Sequence, residues 1–131
     1  MKIIGIDYGT KRVGVAVSDD SGSVAFPKAV FPNDRTLIPT LVSFIKKENA
    51  DEVIVGESRN SEGAENPVMK NIRHFAQELA READVAVMFE PEFYSSVEAR
   101  RFEAPGALVD AKAAAIILNS YLARKAHGNL A

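Results

Sequence analysis

Five carboxylates in this chain stand where an apolar run ends or a helix begins, and they define the chemistry open to it. Asp7 closes the run at residues 2–7 (KIIGID) and precedes Tyr8-Gly9-Thr10. Glu57 follows the run at 52–56, Glu90 and Glu92 flank Pro91 after another, and Asp110 precedes an alanine-rich stretch. Cysteine is absent, which removes a thiolate nucleophile, a disulfide framework and a Cys-ligated zinc. The two histidines, His74 and His127, have no partner at metal-ligand spacing. Oxygen ligands remain, and these suit Mg²⁺ or Mn²⁺. Carboxylates that converge raise one another's pKa unless a cation neutralises them. Two such ions about 4 Å apart can activate water and stabilise the leaving oxygen in phosphodiester hydrolysis.

Each of these residues also has a plainer role. Asp7 can hydrogen-bond the amides of its own turn. Asp110 is a favoured N-cap type and suits the positive end of a helix dipole. Glu57, Glu90 and Glu92 can be solvated strand ends, the two flanking Pro91 sharing a side only if the segment stays extended. Lys11 and Arg12 follow the first apolar run and can contact phosphate oxygens or simply solvate a turn. Gly9 allows a close approach by a phosphate or by another strand.

The elements that must position these groups are legible as a change of period. Residues 2–7, 13–18 (VGVAVS) and 24–31 (VAFPKAVF) are β-rich runs separated by short turns, an antiparallel meander. Pro27 marks the third as an edge or irregular strand. Leu37, Ile38, Leu41, Val42 and Ile45 then share one helix face, with Pro39 near the helix start. Residues 52–56 (EVIVG) form a strand suited to burial on both faces. Pro67 opens a second helix, striped by Val68, Ile72, Phe75, Ala76 and Leu79, with His74 at its surface. Residues 85–90 (VAVMFE) form the fifth strand. Ser95 and Glu98 have capping-box spacing and start a short helix that Pro105-Gly106 ends. The last helix runs from about Asp110 to Ala126, with Gly128 as its C′ residue. The order β-β-β-α-β-α-β-α-α predicts an α/β fold: a mixed five-stranded sheet with helices on both faces, of ribonuclease H-like connectivity.

The 131 residues fit one domain, residues 1–131, with one sizeable core. Sixteen basic against 18 acidic residues leave a net charge of −2, which excludes a histone-like or arm-type nucleic-acid binder but not a local basic patch. No run reaches the ~18 apolar residues of a membrane helix. Asp7 interrupts the apolar N-terminus and no cleavage site follows, so a cytoplasmic protein with no membrane partner is expected.

Residues 5–16 (GIDYGTKRVGVA) closely resemble the opening motif of the YqgF/RuvX family, whose members are described as Holliday-junction resolvases or pre-16S ribosomal RNA nucleases with a ribonuclease H-like fold. The resemblance continues through Asp51 to Gly56 and Glu62-Gly63. It resumes at residues 92–99 (EFYSSVEA) and runs through Val109-Asp110, Ala114-Ala115 and Ile117-Leu118 to Leu122. It implies that Asp7, Glu92 and Asp110 are the catalytic, metal-binding acids, holding Mg²⁺ or Mn²⁺. It implies a metal-dependent nuclease acting on structured RNA, pre-16S rRNA foremost, or on branched DNA.

The sequence departs from the family beside those acids. Phe93 stands where Arg is common after the strand-five acid. The loop at 103–108 is short and lacks Lys and Arg, and Gly56-Glu57-Ser58-Arg59 replaces the usual Gly-Leu-Pro. Each lost cation removes counterion release from nucleic-acid binding. Arg59, Arg100 and Arg101, with Lys11 and Arg12, are the remaining candidates for phosphate contact. Alternative readings are a Holliday junction resolvase in DNA recombination, a catalytically weakened nucleic-acid-binding member of the family, and an actin-like or sugar-kinase phosphate loop at Asp7 to Thr10. The last lacks a second nucleotide-binding domain. A homodimer would suit junction resolution and a monomer RNA processing.

Overall fold

The computed structural model describes residues 1–58, 67–92 and 107–126. Alternation along β1 (Ile3–Tyr8) assigns the two faces of one sheet. Ile4, Ile6 and Tyr8 belong to one core cluster, whereas Ile3 belongs to a second on the opposite face, the face that Gly5 and Asp7 share. β2 (Arg12–Ser18) returns antiparallel, with Asp7 opposite Gly14 and Tyr8 opposite Val13. β3 (Ala25–Pro32) pairs antiparallel with β2 and forms one edge of the sheet. Val15 faces Ala29 and Ala16 faces Pro27, so Lys28 is the extra residue of a bulge. An edge strand with a bulge is where Pro27, which has no N–H, is tolerated.

β4 (Glu52–Ser58) lies parallel to β1, and β5 (Ala86–Glu92) parallel to β4, giving the order β3-β2-β1-β4-β5. Both strands run further than their sequences predict. Gly56-Glu57 and Glu90-Pro91 carry turn signals, yet pairing continues through Glu57 with Pro91 to Ser58 with Glu92. Pro91 falls on the other edge strand, where a missing amide is least disruptive.

α1 (Leu37–Glu48) and α2 (Met69–Ala83) cover the first face. Leu37, Leu41 and Ile45, with Ile72, Phe75 and Leu79, close on Ile4, Ile6, Val13, Val15, Val53 and Val55. This is the expected striping, with Pro39 in the first turn of α1. Pro67 and Val68 precede α2 rather than open it. Asn49 and Asp84 end the two helices in the left-handed conformation, which short polar side chains tolerate.

Among the described residues, α3 (Ala107–Ala126) alone covers the second face. The first half of its buried side is alanine (Ala111, Ala113, Ala114 and Ala115), and the sheet beneath offers Gly5, Gly14, Ala16 and Ala25, so helix and sheet approach closely. A Cβ on Gly5 would stand 2.7 Å from the Leu118 Cβ. Asn119 ties the helix to the edge strand, its Oδ1 accepting the Ala25 amide at 2.9 Å. The helix begins three residues before the sequence predicts. Asp110 is therefore in the first turn and not the N-cap; Ala107-Leu108 are good helix formers, and an acid in that turn suits the dipole. The predicted short helix from Ser95 and the Gly128 cap lie outside the described residues. Among the described residues no helix is long and apolar enough to cross a membrane.

Candidate active site at the carboxyl edge of the sheet

Asp7 lies near the carboxyl end of β1 on the α3 face and is only 6% exposed. Its partner across the antiparallel pair is Gly14. A Cβ on Gly14 would overlap the backbone carbonyl of Asp110, so the first turn of α3 rests on the strand at that residue. Adjacent strands are ~4.8 Å apart. The helix-borne acid is thus anchored one strand from the strand-borne acid, on the same face.

Arg12 is two residues before Gly14 in β2 and shares its face. Its Nε donates to Asp110 Oδ2 at 2.8 Å. The Asp110 side chain is 20% exposed and that of Arg12 is 60% exposed, so most of the guanidinium stays at the surface. Asp110 is held twice, through its backbone by Gly14 and through its carboxylate by Arg12. Lys11 is exposed in the turn between β1 and β2.

On the other side of Asp7, Ile6 pairs with Val55, and continuing the register sets Gly56 level with Asp7. Gly56 pairs with Glu90. Asp7 and Glu90 therefore share a row and a face, separated by a residue without a side chain and by two strand spacings, ~10 Å. Glu90 is buried at 4% exposure, and its carboxylate is bound by Arg124 Nη2 from the last turns of α3. This is a structural ion pair. Glu57, half-buried, alternates onto the opposite face and does not join Asp7. Glu92 ends β5 opposite Ser58, two positions beyond Glu90, at the carboxyl edge. Its side chain, and Arg59, Phe93, Arg100, Arg101 and residues 103–106, lie outside the described residues; Ala107 and Leu108, expected in the loop, open α3 instead.

Among the described residues, Asp7 and Asp110 are thus the candidate acids that share a face, one on β1 and one over the neighbouring β2. Among the described residues no group of three acids or histidines forms a metal site. The donors present nevertheless fit a hard divalent cation: carboxylate oxygens at a partly buried strand end, where negative charge is costly without neutralisation. Sequence reasoning missed the Gly14–Asp110 contact and the Glu90–Arg124 pair. The first had a signal, a glycine inside a β-branched strand. The second had none.

Comparison with known proteins gives this geometry a lineage. The family model described as "RuvX: Holliday junction resolvase" matches residues 1–124. A protein of Nitratidesulfovibrio vulgaris named "Putative pre-16S rRNA nuclease" is 36% identical, covering 93% of both chains. Proteins of the same name from Gloeobacter violaceus and Bacteroides fragilis are each 35% identical; the first match covers 93% of this chain and 83% of the relative, the second 95% and 97%. Among solved structures, Thermus thermophilus RuvC in complex with a Holliday junction substrate superposes with a TM-score of 0.60 at 18% identity, over 96% of each chain. The fowlpox virus Holliday junction resolvase gives 0.55 at 17%, over 94% of this chain and 99% of its own. At these identities the two structures show the fold alone, which is ribonuclease H-like. The family model matched over residues 1–124, with identities of 35–36% sustained over more than nine-tenths of the chain, shows that this chain belongs to the RuvX family of Holliday junction resolvases.

Proposed function

We propose that this chain is a divalent-metal-dependent nuclease that hydrolyses phosphodiester bonds in structured nucleic acid, with pre-16S ribosomal RNA as its substrate. The observation that carries the reading is the Gly14 contact, which fixes Asp110 beside Asp7 on one face at the carboxyl edge. The name shared by the relatives supports the choice of RNA. Asp7, Glu92 and Asp110 are the residues that would hold Mg²⁺ or Mn²⁺. Bound there, the cation supplies an activated water and neutralises charge on the leaving oxygen.

The chain's own residues do the rest. Asp7, rigid within a five-residue antiparallel register, gives the site a fixed reference point. Arg12 orients the Asp110 carboxylate through Nε and leaves guanidinium surface for a phosphate oxygen. Lys11 adds a second cation in the turn before Arg12, and Arg59, Arg100 and Arg101 are further candidates for phosphate contact. The reading treats residues 1–131 as one domain working in the cytoplasm.

Junction resolution is the second reading, favoured by the description of the matched family. It requires two sites related by symmetry, hence a homodimer, whereas RNA processing needs only a monomer. The test is cleavage of pre-16S rRNA and of four-way junction DNA with Mg²⁺ and Mn²⁺, alongside the oligomeric state in solution. RNA cleavage by a monomer supports the first reading. Junction cleavage by a dimer replaces it with the second, and cleavage of neither overturns both.

A further inference from the structure

Behind the acids, on the opposite face of the sheet, a cleft of about 650 Å³ opens between the β3–α1 turn and α2. Its floor is the half-buried ring of Tyr8 tilted against Phe75, with centroids 4.8 Å apart. Asn33, Arg35, Lys70, Asn71 and His74 also line it. We propose that this cleft receives an unpaired nucleotide of the strand that flanks the bond to be cleaved. The ligand class rests on the nuclease reading; the site rests on the following observations.

The cleft adjoins the strand end that carries Asp7, because Tyr8 lines it. Tyr8 directly follows Asp7, and alternation sends the two side chains to opposite faces of the same strand end. The cleft wall is bolted to the turn after Asp7: Asn33 donates its side-chain amide to the Gly9 carbonyl at 2.7 Å and its backbone amide to the Lys11 carbonyl at 2.9 Å. A strand with a phosphate at Asp7 and Asp110 needs only to cross the carboxyl edge to place a neighbouring base against Tyr8.

The lining chemistry matches a nucleotide. An aromatic face stacks a base regardless of its identity. Asparagine amides offer both donors and acceptors to a base edge, and Arg35 and Lys70 offer cations to its phosphate. A purely apolar ligand would leave these groups desolvated, and a bare anion would not use the ring. Three acids also line the cleft, Asp34, Glu78 and Glu82. Asp34 is engaged by the Thr36 amide and hydroxyl. Glu78 and Glu82 lie eight and twelve residues beyond Lys70 along α2, ~12 and ~18 Å from it. α2 follows β4, which is parallel to β1, so its early residues lie at the same rim as Tyr8 and the acids lie away from it. α2 has no acid in its first turn, so its dipole adds positive potential at that rim, whereas Asp34 just ahead of α1 offsets the dipole of that helix.

The test is binding of short, unstructured oligouridylate and oligothymidylate to the intact protein in chelator, where no cleavage occurs. The substitutions are Lys70→Glu and Tyr8→Leu, with Tyr8→Phe and Lys47→Glu as controls, each checked for an unchanged thermal midpoint. Lys47 lies in the last turn of α1, away from the rim. The expected result is saturable binding that Lys70→Glu and Tyr8→Leu each weaken by roughly tenfold, with both controls like wild type. No binding of either oligonucleotide, or binding that Lys70→Glu leaves unchanged, overturns the proposal. The outcome is separable from the nuclease reading. A protein that cleaves rRNA but shows no cleft-dependent binding loses this site alone. One that binds through the cleft yet never cleaves loses the nuclease reading alone.

Discussion

Gly14 lies directly beneath the backbone carbonyl of Asp110, and its partner in the sheet is Asp7. One residue without a side chain thus joins a helix that starts at residue 107 to a strand that ends at residue 8. Packing at this point is a condition for the two acids to share a site. Gly14→Ala forces the first turn of α3 off the sheet. Overpacking of this kind costs ~1–3 kcal/mol, and each kcal/mol lowers the midpoint of a chain this long by roughly 3–5 °C. The variant should remain folded by circular dichroism, melt lower and lose nucleic-acid cleavage. Full turnover in Gly14→Ala would show that the acids do not depend on this contact.

Arg12→Ala separates positioning from stability. The Arg12 side chain is mostly exposed, so its ion pair contributes only ~0–1 kcal/mol. The thermal midpoint should scarcely move while cleavage falls, because Asp110 loses the donor that orients its carboxylate. Comparing midpoint and turnover in the same preparation checks this, and equal losses in both would point to a structural role alone.

Glu90 should behave as a structural acid. Removing its partner in Arg124→Met leaves a buried carboxylate uncompensated, and the cost approaches the ~3–5 kcal/mol of a broken buried pair, reduced because Arg124 is partly exposed. Combining it with Glu90→Gln should recover much of that loss. Urea unfolding of the two singles and the double gives the coupling, and the double variant should cleave as wild type at a temperature where it is folded.

Tyr121 gives stability an alkaline limit. Burial first, then its hydrogen bond to Glu52 at 2.9 Å, pushes the phenol up to about 12. The unfolded chain releases that proton near pH ~10, so the folded state binds it more tightly. The contribution is complete below about pH 10 and is lost as pH rises towards 12. Unfolding midpoints measured from neutral pH upward should fall more steeply for wild type than for Tyr121→Phe across that window. Parallel curves would contradict the assignment.

The meander, the two helix stripes and the fifth strand were legible because β-branched runs and 3.6-residue periods are local signals. The ends of β4 and β5 were not. Gly56-Glu57 and Glu90-Pro91 resemble loop starts, and only pairing between the two strands carries them on to Ser58 and Glu92. Asp7 and Asp110 stand out in the sequence by their places at element ends and, for Asp7, by the motif around it. Partnerships were beyond reach: Arg12 meets Asp110 across 98 positions and Arg124 meets Glu90 across 34. Burial distinguishes Glu90 from a solvated strand end, and burial depends on where α3 lies.

The most direct test of the account is cleavage of pre-16S rRNA with Mg²⁺ or Mn²⁺ by wild type and by Asp7→Asn, with thermal midpoints measured on the same samples. The substitution preserves shape and removes one charge from the strand end where Asp110 is anchored. The account predicts metal-dependent cleavage by wild type and none by a folded Asp7→Asn. Equal cleavage by the two proteins would contradict it.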